Sequence, residues 1–271
     1  MAIITISRTS FSGGEKIAQE VASRLGYPCL DRKELIIGAA EDFHFPEAKL
    51  VAAMAEPPKL WQQDRDKRDA HFNLIRASFL KRCKAEKLVY HGFSGQELIR
   101  RVPHVLRVLV IADETYRVEK AMGQLGGDAE EAHEQIAKSD KKITRWTRHM
   151  YGFDWREPAL YDLVIHIGRI GVASAVETIL KILERGEFHP TESSRQAFAD
   201  ELLASLVWSE LTNNEATSAS YLEAMAHQGI VTITGTARSK RICDAITRVA
   251  REVEGVAAVQ NEVNIGTIWR S

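Results

Sequence analysis

The chain has 271 residues, 45% hydrophobic and 27% charged, which suits one large or two unequal folded domains at roughly 100–200 residues each. Its 36 Lys+Arg and 37 Asp+Glu leave a net charge of −1, so no global basic field draws it to nucleic acid, and no nucleic-acid partner is expected. No stretch approaches the roughly 18 apolar residues that a spanning helix needs. The first eight residues read as a buried strand and not as a signal peptide. Cys29, Cys83 and Cys243 are far apart and form no CxxC pair, which points to a reducing, cytoplasmic setting and away from disulfides or structural zinc. His133-Glu134 opens like the HExxH zinc helix, but Ala137 stands where the second histidine belongs, so no metal site is expected.

In chain order, Ile3 to Ile6 is a short β-branched run, followed by Ser12-Gly13-Gly14 and by Ile17, Val21 and Leu25 on one helix face. The spacing predicts strand, glycine turn, helix. Leu88-Val89-Tyr90, residues 105–111 and Leu163-Val164-Ile165 are further predicted strands, each followed by a helical pattern. Two charged helical segments, about 59–87 and 128–149, lie between them. Repeated β-then-α order predicts an α/β fold, a parallel sheet with crossover helices.

A helix ends near Gly186, and Pro190 with small polar residues follows, so 188–192 reads as a linker. Beyond it the pattern predicts a helix at about 194–212, strands at 221–226 and 230–234 joined by a tight turn at His227-Gln228-Gly229, a helix at 239–254 and a strand at 257–265. Gly235 is expected to end the second strand and Gly255 to cap the last helix. This is a small α+β module whose helices are expected on one face of the sheet. It is just large enough to bury a core of its own.

The loop Ile6-Ser7-Arg8-Thr9-Ser10-Phe11-Ser12-Gly13-Gly14-Glu15-Lys16 sits where a phosphate loop would lie, between strand and helix. A Walker A loop cradles phosphates with backbone amides and the helix N-terminus and adds a lysine and a Mg²⁺-binding hydroxyl. Here Arg8 stands at the first glycine and Gly14 at the lysine, so spacing alone leaves a plain glycine turn as the alternative.

The same residues resemble the cytidylate-kinase-like proteins of the P-loop nucleoside monophosphate kinase group, whose loop also carries an arginine after the strand and a double glycine. Further similarities follow in order: Gly26-Tyr27-Pro28-Cys29-Leu30-Asp31, Val89-Tyr90-His91-Gly92, residues 105–112 with Arg117 and Lys120, Ser139-Asp140-Lys141-Lys142, Trp146, Tyr151 to Trp155, and Tyr161 to Ile165. They cover about 1–187. The resemblance implies phosphoryl transfer from ATP with Mg²⁺ to a nucleoside monophosphate, CMP or dCMP. It implies Arg8, Lys16, Asp31 and Arg145 as the catalytic residues. Ser12, Gly13, Gly14, Lys16, Arg117, Lys141 and Arg148 would hold the cofactor, with Lys141, Arg145 and Arg148 on one face of a lid helix; the bland reading of those three is a solvated face.

Three departures bear on activity. Phe11 stands where the family has glycine and is expected to obstruct a phosphate, Phe93 follows Gly92 where arginine is common, and His166 replaces an asparagine. Losing such contacts would leave an alternative, a nucleotide- or phospholigand-binding sensor without turnover.

The glycines of 229–235, the apolar face Ile242, Ile246, Val249 and Val253, and Gly255 with Val256, Val259 and Val263 look like a BON domain over 193–271. That resemblance implies a phospholipid or protein partner, or a homo-oligomer. Arg238, Lys240 and Arg241 form a basic cluster suited to an anionic head group, though solvation alone explains it. Trp269 is a candidate sheet or interface anchor.

Overall fold

The computed structural model describes residues 2–54, 65–92, 94–218 and 220–266, with the backbone alone described at 65–67. Trp269 lies outside them. The first elements in chain order are β1 (Ala2–Arg8), α1 (Gly14–Leu25), β2 (Cys29–Asp31), α2 (Arg32–Asp42), α3 (Glu47–Ala53), α4 (Arg65–Cys83), β3 (Lys87–His91), α5 (Gly95–Leu98) and β4 (Val105–Ile111). Then come α6 (Glu114–Leu125), α7 (Ala129–Tyr151), β5 (Leu163–His166), α8 (Ile167–Leu183), α9 (Glu192–Asn213), β6 (Tyr221–His227), β7 (Ile230–Ala237), α10 (Lys240–Arg251) and β8 (Ala258–Ile265).

The chain divides into two compact units, Met1–Glu34 with Cys83–Pro190, and Leu35–Arg82 with Thr191–Ser271. The linear division expected from the sequence places 35–82 in the first domain; in the fold these residues join the second unit.

The first unit is a five-stranded parallel sheet of order β2-β3-β1-β4-β5. A strand between parallel neighbours and two helical layers is apolar on both faces, which explains why Ile3, Ile4 and Ile6 of β1 are all fully buried. Ile17 and Val21 of α1 and Val176 and Ile179 of α8 complete that core with Val108, Val110 and Ile165. The stretch from Gly26 to Asp31 ends in a strand that the sequence pattern does not mark: Cys29–Asp31 pairs with Val89, Tyr90 and His91. Helix α7 begins on a capping box in which Asp128 accepts from Glu131 and the Glu131 side chain returns to the Asp128 amide.

The second unit contains a three-stranded sheet in which β6–β7 is antiparallel and β7–β8 parallel. Gln228 and Gly229, at φ of 49° and 84°, form the hairpin turn. Leu203, Val207 and Leu211 of α9 and Ile246 and Val249 of α10 cover one sheet face through Val231 and Ile233. Gly235 does not end its strand. Strand β7 continues to Ala237, and at φ 127° a Cβ on Gly235 would overlap the Tyr221 carbonyl oxygen. Helix α10 stops at Arg251, before the expected end, and Gly255 at φ 94° turns the chain toward β8. Arg238, Lys240 and Arg241 are exposed, and Lys240 pairs with Asp244 at 3.3 Å.

Among the described residues no helix is long and apolar enough to cross a membrane. The three cysteines are free thiols.

Candidate functional site

The C-terminal ends of parallel strands are where α/β sheets bind ligands, and the loop after the central strand β1 lies there. Thr9 N–H donates to the Val110 carbonyl at 3.0 Å and Ser12 Oγ to the same oxygen at 3.3 Å, stitching the loop to β4. Gly13 adopts φ 77° as the residue before α1 and offers no side-chain cap. The first amides of α1, on Gly14 and Glu15, are therefore available to an anion, and the helix dipole favours one. A Cβ on Gly14 would lie 2.9 Å from Cβ and Cδ of Arg8. Glycine is what lets the Arg8 stem lie across the helix start. Arg8, Ser12, Gly13 and Gly14 thus come together. Lys16 is exposed in the first turn and makes no ion pair among the described residues; aligning strand and helix suggests it for the place of the Walker hydroxyl, but counting from Arg8 puts Glu15 there.

Arg8 donates from Nη1 to His91 Nδ1 at 3.2 Å and lies 3.8 Å from Glu15. Burial pulls the pKa of Arg8 down, opposed by Glu15, Tyr90 and Asp31. An arginine stays charged even so. Burial, and then the Arg8 charge, holds His91 below its ordinary value. Tyr90 is fully buried, its phenol pushed up to about 12 by burial; a Cβ on Gly95 would stand 2.5 Å from its ring. Arg32, the first residue of α2, is also lowered by burial, with Tyr90 opposing. Asp31 Oδ1 accepts from Glu34 N–H at 2.7 Å and its own N–H donates to Glu34 Oε2 at 3.0 Å, so this carboxylate caps α2.

Sequence reasoning missed His91, Arg32 and Tyr90 as site residues. The available signal was their position, at or directly after the ends of β3 and β2.

On the other side of the loop, Arg117 is buried. Its Nε donates to the Ser10 carbonyl at 2.8 Å and its Nη2 to Asp140 at 2.6 Å. Ser10 Oγ donates to Asp140 at 3.0 Å and lies 2.8 Å from the Ser139 hydroxyl. Arg117, expected among the phosphate ligands, thus ties the loop backbone to α7. The obstruction expected from Phe11 is not what the fold shows: at φ 60° its ring packs on Val118, Ala121, Ala132 and Ile136, in the seam of α6 and α7.

Lys141, Arg145 and Arg148 share the exposed face of α7, behind which Ile143, Trp146 and Thr147 are buried. Arg148 pairs with Asp154 at 3.2 Å. Asp154 also binds Arg156, whose hydrogen bond is the main reason its carboxyl falls to about 2. Lys141 and Arg145 make no ion pair among the described residues. No described contact joins these three cations to Arg8, Lys16 or Asp31. His166 meets Asp113 at 3.2 Å, and Phe93 lies outside the described residues.

Beneath the loop runs a buried polar line. Ser7 Oγ donates to Gln96 at 2.9 Å, Gln96 Nε2 to Tyr161 at 3.1 Å, and Tyr161 to the Trp155 carbonyl at 2.6 Å. Trp155 Nε1 then donates to Thr144 of α7 at 3.2 Å. Satisfied buried networks rigidify what they connect, here β1 and α7. Burial pushes the Tyr161 phenol up to about 12.

Among solved structures, an uncharacterized protein from Eubacterium ventriosum is 22% identical with a TM-score of 0.52, the match covering 68% of this chain and 98% of that one. A shikimate kinase from Bacteroides thetaiotaomicron is 15% identical with a TM-score of 0.41, covering 68% and 99%. A gluconokinase from Sinorhizobium meliloti is 15% identical with a TM-score of 0.40, covering 69% and 93%. At 22% identity the likeness to the first of these is one of fold. No curated protein matches the chain. The cytidylate kinase-like family matches residues 3–169 and the BON domain matches residues 199–267. The loop geometry, the parallel sheet and these matches agree: the chain belongs to the cytidylate kinase-like family and carries a C-terminal BON domain.

Proposed function

We propose that the chain is an ATP-dependent nucleoside monophosphate kinase acting on CMP or dCMP. The observation that carries this reading is the start of α1, uncapped by any side chain, with the half-buried Arg8 laid over Gly14 beside it. A polyphosphate fits that donor set. The amides of Gly14 and Glu15 and the loop at Ser12-Gly13 take phosphate oxygens, and Arg8 and Lys16 supply charge. Mg²⁺, which keeps several waters and binds mainly through substrate phosphates, neutralises charge between phosphates when bound; Asp31 is the carboxylate offered to it or to the acceptor. Phosphoryl transfer asks for positioning and charge neutralisation above all. Arg145 is assigned to the transferring group, with Lys141, Arg148 and Arg117 on the nucleotide phosphates.

We assign the kinase to 1–187, a linker to 188–192 and the BON module to 193–271, with a phospholipid or protein partner or self-association for that module and a cytoplasmic location. A second reading, a phospholigand sensor without turnover, is favoured by one observation: Arg117 and Arg148 are engaged by Asp140 and Asp154. Calorimetry with ATP and Mg²⁺ together with a coupled assay across CMP, dCMP, UMP and AMP separates them. Turnover supports the kinase; binding without turnover on all four sinks it in favour of the sensor. Absence of binding removes both.

A further inference from the structure

The segment Leu35–Arg82 lies in the chain between β2 and β3, yet it folds with Thr191–Ser271. Both junctions fall inside helices. Helix α2 starts at Arg32, directly after its Asp31 cap, in the first unit, and its body belongs to the second. Helix α4 returns at Cys83 to the strand that ends in His91. Asp31, Arg32 and His91 therefore stand where the chain leaves and re-enters the parallel sheet.

Within the second unit, named contacts join these helices in series. Asp42, the last residue of α2, accepts from Ser78 at 2.7 Å and Arg82 at 2.8 Å and pairs with Lys81 at 3.2 Å, all on α4. Asn73 of α4 donates to the Ser205 carbonyl at 2.9 Å and to Ser209 Oγ at 3.1 Å, and Ser205 Oγ donates back to Asn73 Oδ1 at 2.8 Å. Arg76 pairs with Glu201 one turn away. The opposite face of α9, through Leu203, Val207 and Leu211, is part of the BON core. Asn73, Ser205 and Ser209 are at most 1% exposed. Sliding α4 along α9 would leave buried donors and acceptors unmet, so this polar pin holds one register.

We infer that the C-terminal module sets the acceptor side of the kinase. Ordering α9 and its sheet orders α4 and the body of α2, and with them the helix start that carries Asp31 and Arg32. The coupling is reciprocal: an acceptor held there tightens α9, and a partner that reshapes the BON module changes acceptor affinity. The inference rests on the kinase reading for the identity of the acceptor site.

The test uses the full chain and the variants Asn73→Ala and Ser209→Ala, the second removing one bond of the pin and leaving Ser205 in place. Amide exchange is followed in Arg32–Glu34, α4, α9 and α1, alongside KM for CMP and for ATP. Expected is about fivefold faster exchange in α9, α4 and the first turn of α2, with α1 unchanged and KM for CMP raised by about fivefold against a steady KM for ATP. Unchanged exchange in the first turn of α2 overturns the coupling, and if Asn73→Ala does not fold, Ser209→Ala decides. Should no acceptor be phosphorylated, the kinase reading fails and the exchange result still rules on the coupling. Turnover with an unmoved α2 leaves the kinase standing and removes the coupling.

Discussion

Arg8 donates from Nη1 to Nδ1 of His91 at 3.2 Å, across the ends of the neighbouring strands β1 and β3. Arginine only donates, so the bond requires an unprotonated Nδ1 and places the imidazole proton on Nε2. Burial first, and Arg8 second, hold the imidazole pKa below its ordinary value. An NMR titration is expected to find the His91 midpoint below about 6.5, the value of an unperturbed histidine. Arg8→Gln should raise it toward that value without reaching it, because burial remains. The sign for stability follows. A depressed folded pKa means that the contribution of His91 is present above the unfolded value and is lost as pH falls through that value toward the folded one. An unchanged or lower midpoint in Arg8→Gln contradicts the pairing.

Phe11 sits at φ 60° with its ring between α6 and α7. Glycine would relieve a left-handed backbone by ~1 kcal/mol, but removing a half-buried aromatic costs about 2–4 kcal/mol. Phe11→Gly is expected to lower Tm while leaving ATP affinity within about twofold, because packing of this size outweighs the backbone relief. A gain in both stability and affinity would show that the ring hinders the loop after all.

Gly235 lies inside β7 at φ 127°, where a Cβ would overlap the Tyr221 carbonyl of the paired strand. That backbone region is open to glycine almost alone. Gly235→Ala should destabilise the C-terminal module by about 3 kcal/mol or more, read by denaturant unfolding. A change within ~0.5 kcal/mol, the size of an ordinary surface substitution, would mean that β6 and β7 are not in this register.

On the proposed kinase reading, Lys16 and Arg145 separate binding from chemistry. Lys16→Ala would then remove a charge-assisted contact to the nucleotide, ~1.5–3 kcal/mol, and should weaken ATP affinity by about tenfold or more. Arg145→Ala should lower kcat by about 10²–10³ and change ATP affinity far less. An unmoved dissociation constant takes Lys16 out of the site, and equal effects on both quantities return Arg145 to a solvated face.

Much of the fold is legible in the chain because its signals are local. The β-branched run of β1 and the apolar run of β4 name their elements directly. Strand β2 is not legible, since three residues show no period and its partner β3 recruits it through register. The side to which the Phe11 ring turns depends on α6 and α7 being neighbours. The meeting of α4 with α9 runs through Asn73, Ser205 and Ser209, polar residues that look like any surface residues until the helices meet. The site divides in the same way. Gly13 and Gly14 are readable as a phosphate loop, whereas the meeting of Arg8 and His91 follows from strand order, which no single motif carries.

The central claim is tested most directly by incubating the full chain with ATP labelled on its γ-phosphate, Mg²⁺ and CMP. The account predicts that the label appears in CDP. ATP that binds but leaves no label in CDP, nor in the diphosphates of dCMP, UMP and AMP, would contradict it.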